Sequence, residues 1–164
     1  MNTSFADIEK KENRKDLIIS ICVFLSGFSC FAQLYYFQPL LPDLAKDFIL
    51  SASESSFAIS FSTLGMVFGL FTTMFVADRI PRKKMIGTGL LSSSIFSVAA
   101  SFSPTFLPLI LLSAAKGFLL SGATSVSMAY IAEEVSSRNK GKIMGLYIAG
   151  NALGGMAGRD GSEL

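Results

Sequence analysis

The chain contains no histidine, no tryptophan and only two cysteines among its 164 residues. Histidine is the most frequent general base and a common metal ligand, and it is absent here. The sequence also has no Cys–His pair, no cluster of metal ligands and no phosphate-binding loop before a helix. Cys22 and Cys30 lie on one predicted helix, too far apart to bridge each other. We therefore predict that the protein is not an enzyme and uses no cofactor or metal.

Charged residues are missing from long parts of the chain. Residues 17–42, 55–77, 85–115 and 117–132 contain none, and about 20 apolar residues suffice to cross a hydrocarbon layer of about 30 Å. This distribution excludes an ordinary soluble domain and predicts an all-α membrane protein with four full transmembrane helices. The first stretch is longer than the apolar part of a signal peptide and has no small-x-small cleavage site after it, so we expect it to be retained.

Proline and serine positions predict where the helices begin and end. The first helix is expected from Asp16 to Gln38, because Pro39 cannot continue the hydrogen-bond ladder. Residues 40–55 then form an outer loop, in which SASESS supplies a helix cap. The second helix is predicted to run to Ala77, the third to cover 85–102 and the fourth to cover 106–132.

A fifth helix is predicted to start after Gly141, and Arg159 leaves it too short for a comfortable full span. The ending RDGSEL is polar, which indicates an interrupted protein. The expected organisation is an amino-terminal segment at 1–16, a partial transmembrane bundle at 17–158 and a polar tail at 159–164 after an apparent truncation.

Basic residues are concentrated in alternate connections. They occur in the first sixteen residues, in 79–84 and in 138–142, whereas the other two loops contain only Lys46. By the positive-inside rule, the amino terminus faces the cytoplasm. We expect a multi-pass protein of a plasma membrane, specifically the bacterial inner membrane, with the lipid bilayer as a partner and no nucleic acid.

Small residues recur at helical spacing in the second and fourth predicted spans. In lipid, such rows let helix backbones approach closely. We expect them to be packing surfaces; they are Ser62, Gly65, Gly69 and Thr73 in the second span, and Ser113, Gly117, Ser121 and Ser125 in the fourth.

The stretch FVADRIPRKKMIG, between the second and third spans, carries one acid followed by four basic residues. It resembles the loop motif G-x-x-x-D-R-x-G-R-[KR]-[KR] of the major facilitator superfamily, although Met74 and Pro81 replace the two glycines. QPLLP at the end of the first span and AYIAEEVSSRNKGKIMG after the fourth are also similar to family patterns. The matching residues of the loop are Asp78, Arg79, Arg82, Lys83 and Lys84.

The resemblance implies that these five loop residues form a conformational latch. The aspartate of the family motif lies against a helix amino terminus of the other half of the molecule, where the helix dipole favours a negative charge. Asp78 would then help to hold the outward-open state. The alternative is that the four cations only anchor the loop on the cytoplasmic side.

Glycines in the fifth segment are similar to the pattern G-x8-G-x3-G-P-x2-G-G of the antiporter branch. Gly155 and Arg159 depart from it. The resemblance favours a drug or metabolite exporter, and simple helix packing is the alternative. The glycines at the family spacing are Gly141, Gly150, Gly154 and Gly158.

Lys116 is a single charge within the fourth predicted span. A buried ammonium is costly in lipid, so it is expected to face the bundle interior or a wet cavity. The family often has an arginine in this span; aligning on Gly117 places Ser113 at that position, and Lys116 would supply the cation. The alternatives are a carboxylate partner in a missing half, or snorkelling towards an interface.

The family also implies that the first and fourth spans line the substrate cavity. Gln33 is the best single polar contact, and its neighbours Tyr35 and Tyr36 could equally form an interfacial aromatic belt. The expected cavity residues are Ser26, Cys30, Gln33, Phe37 and Ser113.

Together these features predict a secondary active transporter that exports a small amphipathic compound or metabolite by alternating access. Ion coupling is expected, with protons as the candidate ion. Transport would require the missing carboxy-terminal half. Two alternatives stay open, namely a small oligomeric tetraspan membrane protein and an inactive truncated fragment.

Overall fold

The computed structural model describes residues 2–160, which form seven α-helices and no β-strand. The helices are α1 (Asn2–Tyr35), α2 (Phe37–Asp47), α3 (Ala52–Ser55), α4 (Phe57–Val76), α5 (Arg82–Ser101), α6 (Phe106–Glu134) and α7 (Lys140–Asp160).

Three helical segments of the described chain are long and apolar enough to cross a membrane: Lys10–Asp47, Ser53–Val76 and Phe106–Glu134. They correspond to the first, second and fourth predicted spans. The third, α5, has 20 residues but begins RKK and carries several serines, which lower its hydropathy. The fifth, α7, has 21 residues and continues through Arg159, so it is as long as α5. The expected count of four full spans and a short fifth is thus supported for three spans only.

The expectation of an outer loop at 40–55 is wrong, because Phe37–Asp47 is helical. The helix breaks at Tyr36 and restarts at once, which places Pro39 in the first turn of α2. A missing N–H costs little there, since the first N–H groups of a helix have no partner within it. Pro42 lies farther inside α2 and is tolerated within this short helix.

The predicted cap before the second span is confirmed. The Oγ of Ser51 accepts a hydrogen bond from the backbone N–H of Glu54 at 3.2 Å, and the backbone N–H of Ser51 donates to a Glu54 carboxylate oxygen at 2.8 Å. This reciprocal pair is a capping box. It starts α3, and α4 follows after Ser56.

Helix α6 lies at the centre of the bundle, with α4 and α5 packed along it, while α7 packs along α1. The predicted rows of small residues form the contact between α4 and α6. A Cβ atom added at Gly65 would overlap the carbonyl group of Ala114, and one added at Gly117 would overlap that of Ser62. Only glycine permits this approach of the two backbones.

The bundle has two ends that differ in charge. The basic end is formed by residues 10–16 of α1, the turn 77–81 and the turn 135–139. Below it lies a core of Ile19, Val23, Ile131, Val135, Ile143 and Tyr147. The opposite end contains the turns 48–51 and 102–105, and its core includes Phe37, Ala58 and Leu109.

Candidate functional site

Lys116 is buried in the middle of α6, with 1% of its surface exposed. Its Nζ donates a hydrogen bond to the backbone carbonyl oxygen of Gln33 at 2.9 Å. The same nitrogen lies 4.2 Å from the ring centroid of Tyr36 and 4.4 Å from that of Phe37. No ion pair joins Lys116 to another residue within 10–159. A carbonyl and two aromatic faces therefore stabilise this charge, at the break between α1 and α2.

The side chain of Gln33 binds hydroxyl groups of α5. Its Oε1 accepts from the Oγ of Ser93 at 3.0 Å and, at 3.4 Å, from that of Ser97. Its Nε2 donates to the Oγ of Ser94 at 3.3 Å and to that of Ser29 at 3.2 Å. Gln33 thus connects α5 through its side chain and α6 through its backbone. We call Lys116, Gln33 and these α5 serines the polar centre.

The sequence predicted Gln33 and Lys116 as functional residues but missed the serines of α5. Three consecutive serines, Ser92 to Ser94, are a visible signal in the third span. Their spacing alone does not say which of them faces Gln33, because that depends on how α5 is rotated against α1.

The other predicted cavity residues are buried among the helices. Ser26 and Cys30 are on α1, with 6% and 2% exposure, and Ser113 on α6 donates its hydroxyl to the Leu109 carbonyl at 2.7 Å. Phe37 packs in the core of the opposite end. Neither the cavity at the basic end nor a smaller one between α4, α5 and α6 is lined by these residues.

The predicted latch residues lie in the turn 77–81 and the first turn of α5. Arg82 forms a two-point ion pair with Glu133 at the end of α6, with Nε–Oε2 at 2.6 Å and Nη2–Oε1 at 2.5 Å. Asp78 is exposed and has no ion-pair partner in the described chain. Arg79, Lys83 and Lys84 are also exposed and likewise have no ion-pair partner in the described chain. The turn is thus fixed to α6 by one cation, and its acid stays accessible.

Glu133 is a functional candidate that the sequence prediction missed. It lies within the quoted stretch AYIAEEVSSRNKGKIMG, but a pair of adjacent acids does not indicate which one faces Arg82. In the structure, Glu133 binds Arg82, and Glu134 binds Lys15 at 2.7 Å. Met74, at a glycine position of the family motif, is 76% exposed.

Three of the four antiporter-like glycines mediate the contact between α7 and α1. Cβ atoms added at Gly150, Gly154 and Gly158 would collide with carbonyl oxygens of Phe24, Phe28 and Ala32, respectively. Gly141 has open space around it. This geometry gives the three glycines a packing role in the bundle, whatever further role they have.

A second network ties α1 to the turn before α7. Asp16, the last charged residue before the uncharged stretch, is buried and accepts hydrogen bonds from Asn139 Nδ2 at 2.8 Å and Ser136 Oγ at 2.9 Å. The hydrogen bond from Asn139, followed by those from Ser136, lowers the pKa of the Asp16 carboxyl below its usual value, because both stabilise the carboxylate. The carboxylate is therefore a fixed part of the basic end.

Apolar helices of membrane-spanning length around a buried polar centre define a multi-pass membrane protein. A sequence profile of the Major Facilitator Superfamily matches residues 20–159. The chain belongs to this family.

Curated relatives are named as transporters. An uncharacterized transporter of Buchnera aphidicola subsp. Schizaphis graminum is 40% identical over 152 residues, covering 93% of this chain and 37% of the relative. The inner membrane transport protein YnfM of Escherichia coli is 37% identical over 141 residues, covering 86% and 34%. The niacin transporter NiaP of Acinetobacter baylyi is 28% identical over 105 residues, covering 64% and 24%.

The chain spans about a third of the length of the curated relatives it matches first. No solved structure matches it significantly.

Proposed function

We propose that this chain is the amino-terminal part of a secondary active transporter that exports a small amphipathic compound or metabolite by alternating access. The observation that carries the proposal is the polar centre. Lys116 and Gln33 lie within otherwise uncharged spans and join α1, α5 and α6. Polar groups are costly at this depth, and in membrane proteins they mark pathways for substrates and ions.

The surroundings of the polar centre support an amphipathic substrate. Gln33 is only partly buried, so its amide can exchange a serine partner for a ligand group. Tyr36 and Phe37 stack on each other with centroids 4.2 Å apart and present aromatic surface next to Lys116. A compound with an apolar body and a few polar groups fits this mixture better than a highly charged one.

Alternating access needs contacts that change between two states, and the turn 77–81 supplies the candidates. Asp78 is accessible for a helix amino terminus outside this chain, while the Arg82–Glu133 pair keeps the turn in place. In this proposal the five latch residues hold the outward-open state. The basic end lies on the cytoplasmic side of a bacterial inner membrane, and protons are the candidate coupling ion.

The test is export by a chimera in which this chain replaces the matched part of YnfM. Cells with and without the chimera are compared for accumulation of amphipathic fluorescent compounds and for metabolites released into the medium. We expect selective export, and a loss of at least about tenfold in rate for Lys116→Ala, since a positioned group in a transport site contributes on the order of 1.4 kcal/mol or more.

Lys46→Ala is the matched control, because Lys46 is also a single lysine but is exposed near Asp43 at the end of α2. Equal export by the two variants would remove Lys116 from the mechanism. If the chimera inserts into the membrane but alters neither the accumulation nor the release of any compound, the proposal of export is contradicted. Transport by the 164-residue chain alone would favour the oligomeric alternative.

A further inference from the structure

Lys116 has no anionic partner within the membrane-spanning part of the chain. Residues 17–42, 55–77 and 85–132 contain no aspartate or glutamate, and no ion pair among the described residues includes Lys116. One of its three N–H groups is used by the carbonyl of Gln33, and its other contacts are with neutral rings. A cation without a counter-ion is costly in hydrocarbon, so an anion that arrives with a substrate gains by pairing with it.

The surface beside the ammonium is aromatic. The rings of Tyr36 and Phe37 stack on each other with an angle of 29° between their planes. Phe37 packs in the core of the opposite end, whereas Tyr36 is only partly buried and keeps some surface for a ligand. Aromatic pairs gain more than the burial of their area alone provides. A flat aromatic body therefore suits the place next to Tyr36.

The side-chain amide of Gln33 supplies a second donor at the same position of α1. Its Nε2 is 3.3 Å from the Oγ of Ser94, which is long for a hydrogen bond, and Ser94 also donates to the Leu90 carbonyl at 2.9 Å. Nε2 can therefore turn from Ser94 to a ligand without leaving that hydroxyl unpaired. An ammonium and an amide N–H are two donors, which matches the two oxygens of one carboxylate.

The charge of the site restricts the ligand to one negative group. Lys116 is the single charged residue between positions 85 and 132, so the second charge of a dianion would have no cation to oppose it. A cationic ligand would face Lys116 with the same sign, which is unfavourable. The site is thus suited to a monoanion with an aromatic body.

We propose that the polar centre binds an aromatic monocarboxylate, with one carboxylate oxygen on Lys116, the other on Gln33, and the ring beside Tyr36. This inference rests on the proposed function, because it takes the polar centre as the substrate site, and it narrows the amphipathic compound to one chemical class. The Gln33 carbonyl gives the ammonium a neutral partner between one substrate and the next.

The test is equilibrium dialysis of radiolabelled benzoate against the purified chain in micelles of an uncharged detergent, with benzamide as a neutral probe of the same shape. Micelles without protein give the partitioning background. We expect saturable binding of benzoate that is at least about tenfold tighter than that of benzamide. Cyclohexanecarboxylate, an acid without an aromatic ring, should bind more weakly than benzoate. Equal binding of benzoate and benzamide would overturn the proposal, and equal binding of the two acids would overturn its aromatic part.

Variants of Lys116 show whether its charge causes the preference. Lys116→Met should lower the affinity for benzoate at least about tenfold and leave that for benzamide within about twofold, because methionine keeps an apolar chain and loses the charge. Lys116→Arg should keep the preference for the acid, and circular dichroism should show unchanged helix content in both variants. The comparison of benzoate with benzamide on the original chain needs no variant, so it decides even if Lys116→Met does not fold.

Lys46→Met is the matched control, since it removes the same charge from an exposed position at the end of α2. Its affinity for benzoate should equal that of the original chain. A loss equal to that of Lys116→Met would show a general charge effect and overturn the site.

Binding and export together separate this inference from the proposed function. Benzoate-selective binding by the chain, combined with a YnfM chimera that exports nothing, would support the site and contradict export. Export of other compounds by the chimera, combined with equal binding of benzoate and benzamide, would leave export standing and overturn the substrate class.

Discussion

The polar centre and the basic end both hold buried polar groups, but their partners differ. In the polar centre, the ammonium of Lys116 is bound by a backbone carbonyl and two aromatic rings, and no carboxylate contacts it among residues 10–159. At the basic end, the carboxylates of Asp16, Glu133 and Glu134 each have a defined polar or charged partner.

This difference follows from the surrounding medium. At the basic end, water and headgroups lower the cost of each charge, so acids and bases can be used freely, and an exposed ion pair contributes little by itself. In the hydrocarbon layer a second charge would be as costly as the first, and neutral acceptors are the cheaper way to stabilise a cation. We therefore expect the middle of the bundle to depend on close packing and the basic end to depend on carboxylates.

The largest effect is expected from Gly117→Leu, in the packed middle. Its side chain would overlap the Ser62 carbonyl and force α4 away from α6. We expect a loss of about 3 kcal/mol in the free energy of unfolding, as for strong overpacking, measured by denaturant titration in micelles with circular dichroism. Gly87→Leu is the control, because an added Cβ at Gly87 meets nothing within 4 Å. A similar loss in both variants would mean that the α4–α6 contact does not decide it, because leucine is a better helix former than glycine and propensity alone would stabilise both helices.

A smaller effect is expected from Asp16→Ala, at the basic end. The side chains of Ser136 and Asn139 lose a charged acceptor, so we expect the free energy of unfolding to fall by about 2 kcal/mol at pH 7. The folded-state pKa of Asp16 lies below its ordinary value, so its contribution is present above the unfolded-state pKa of about 4 and is lost as the pH falls through the folded-state pKa.

Unfolding titrations at several pH values check this expectation. The difference between the original chain and Asp16→Ala should shrink on acidification. Asp47→Ala, at an exposed acid at the end of α2, should show little difference at any pH. A pH-independent loss in Asp16→Ala would indicate that packing, and not the carboxylate, holds α1 to the turn 135–139.

The smallest effect is expected from Gln33→Leu, in the polar centre. Ser93 and Ser94 also donate to the Leu90 carbonyl of their own helix at 2.9 Å, so they keep a partner when the amide is removed. We expect the free energy of unfolding to fall by about 1 kcal/mol, which is the size measured for hydrogen bonds between transmembrane helices. Gln38→Leu, on α2, serves as the control in the same titration. A loss larger than that of Asp16→Ala would contradict the ranking of the two regions.

The sequence was sufficient to predict most of the long helices, although not α2, and several of their packing surfaces. Uncharged stretches and caps located α4 and α6 within a few residues, and rows of small residues predicted the packing surfaces on which Gly65 and Gly117 lie. These features depend on local pattern and on the cost of charge in lipid, both of which are visible in one chain.

Other features depended on the tertiary arrangement and could not be predicted. Pro39 was interpreted as the end of a helix, but the effect of a proline depends on its position within the new helix that follows. The burial of Lys116 was expected, whereas its carbonyl partner exists only because the chain breaks at Tyr36. The choice between Glu133 and Glu134 as partner of Arg82 likewise required the rotation of α6.

The pairing of helices also bears on how the chain enters a bilayer during synthesis. The less apolar α5 packs on α6, which is made after it, whereas the less apolar α7 packs on α1, which is made long before it. Because a weakly hydrophobic segment partitions poorly by itself, α5 would wait beside the translocon until α6 emerges, and the two would enter as a hairpin. Helix α7 finds its partner already in place and can enter as soon as it is made.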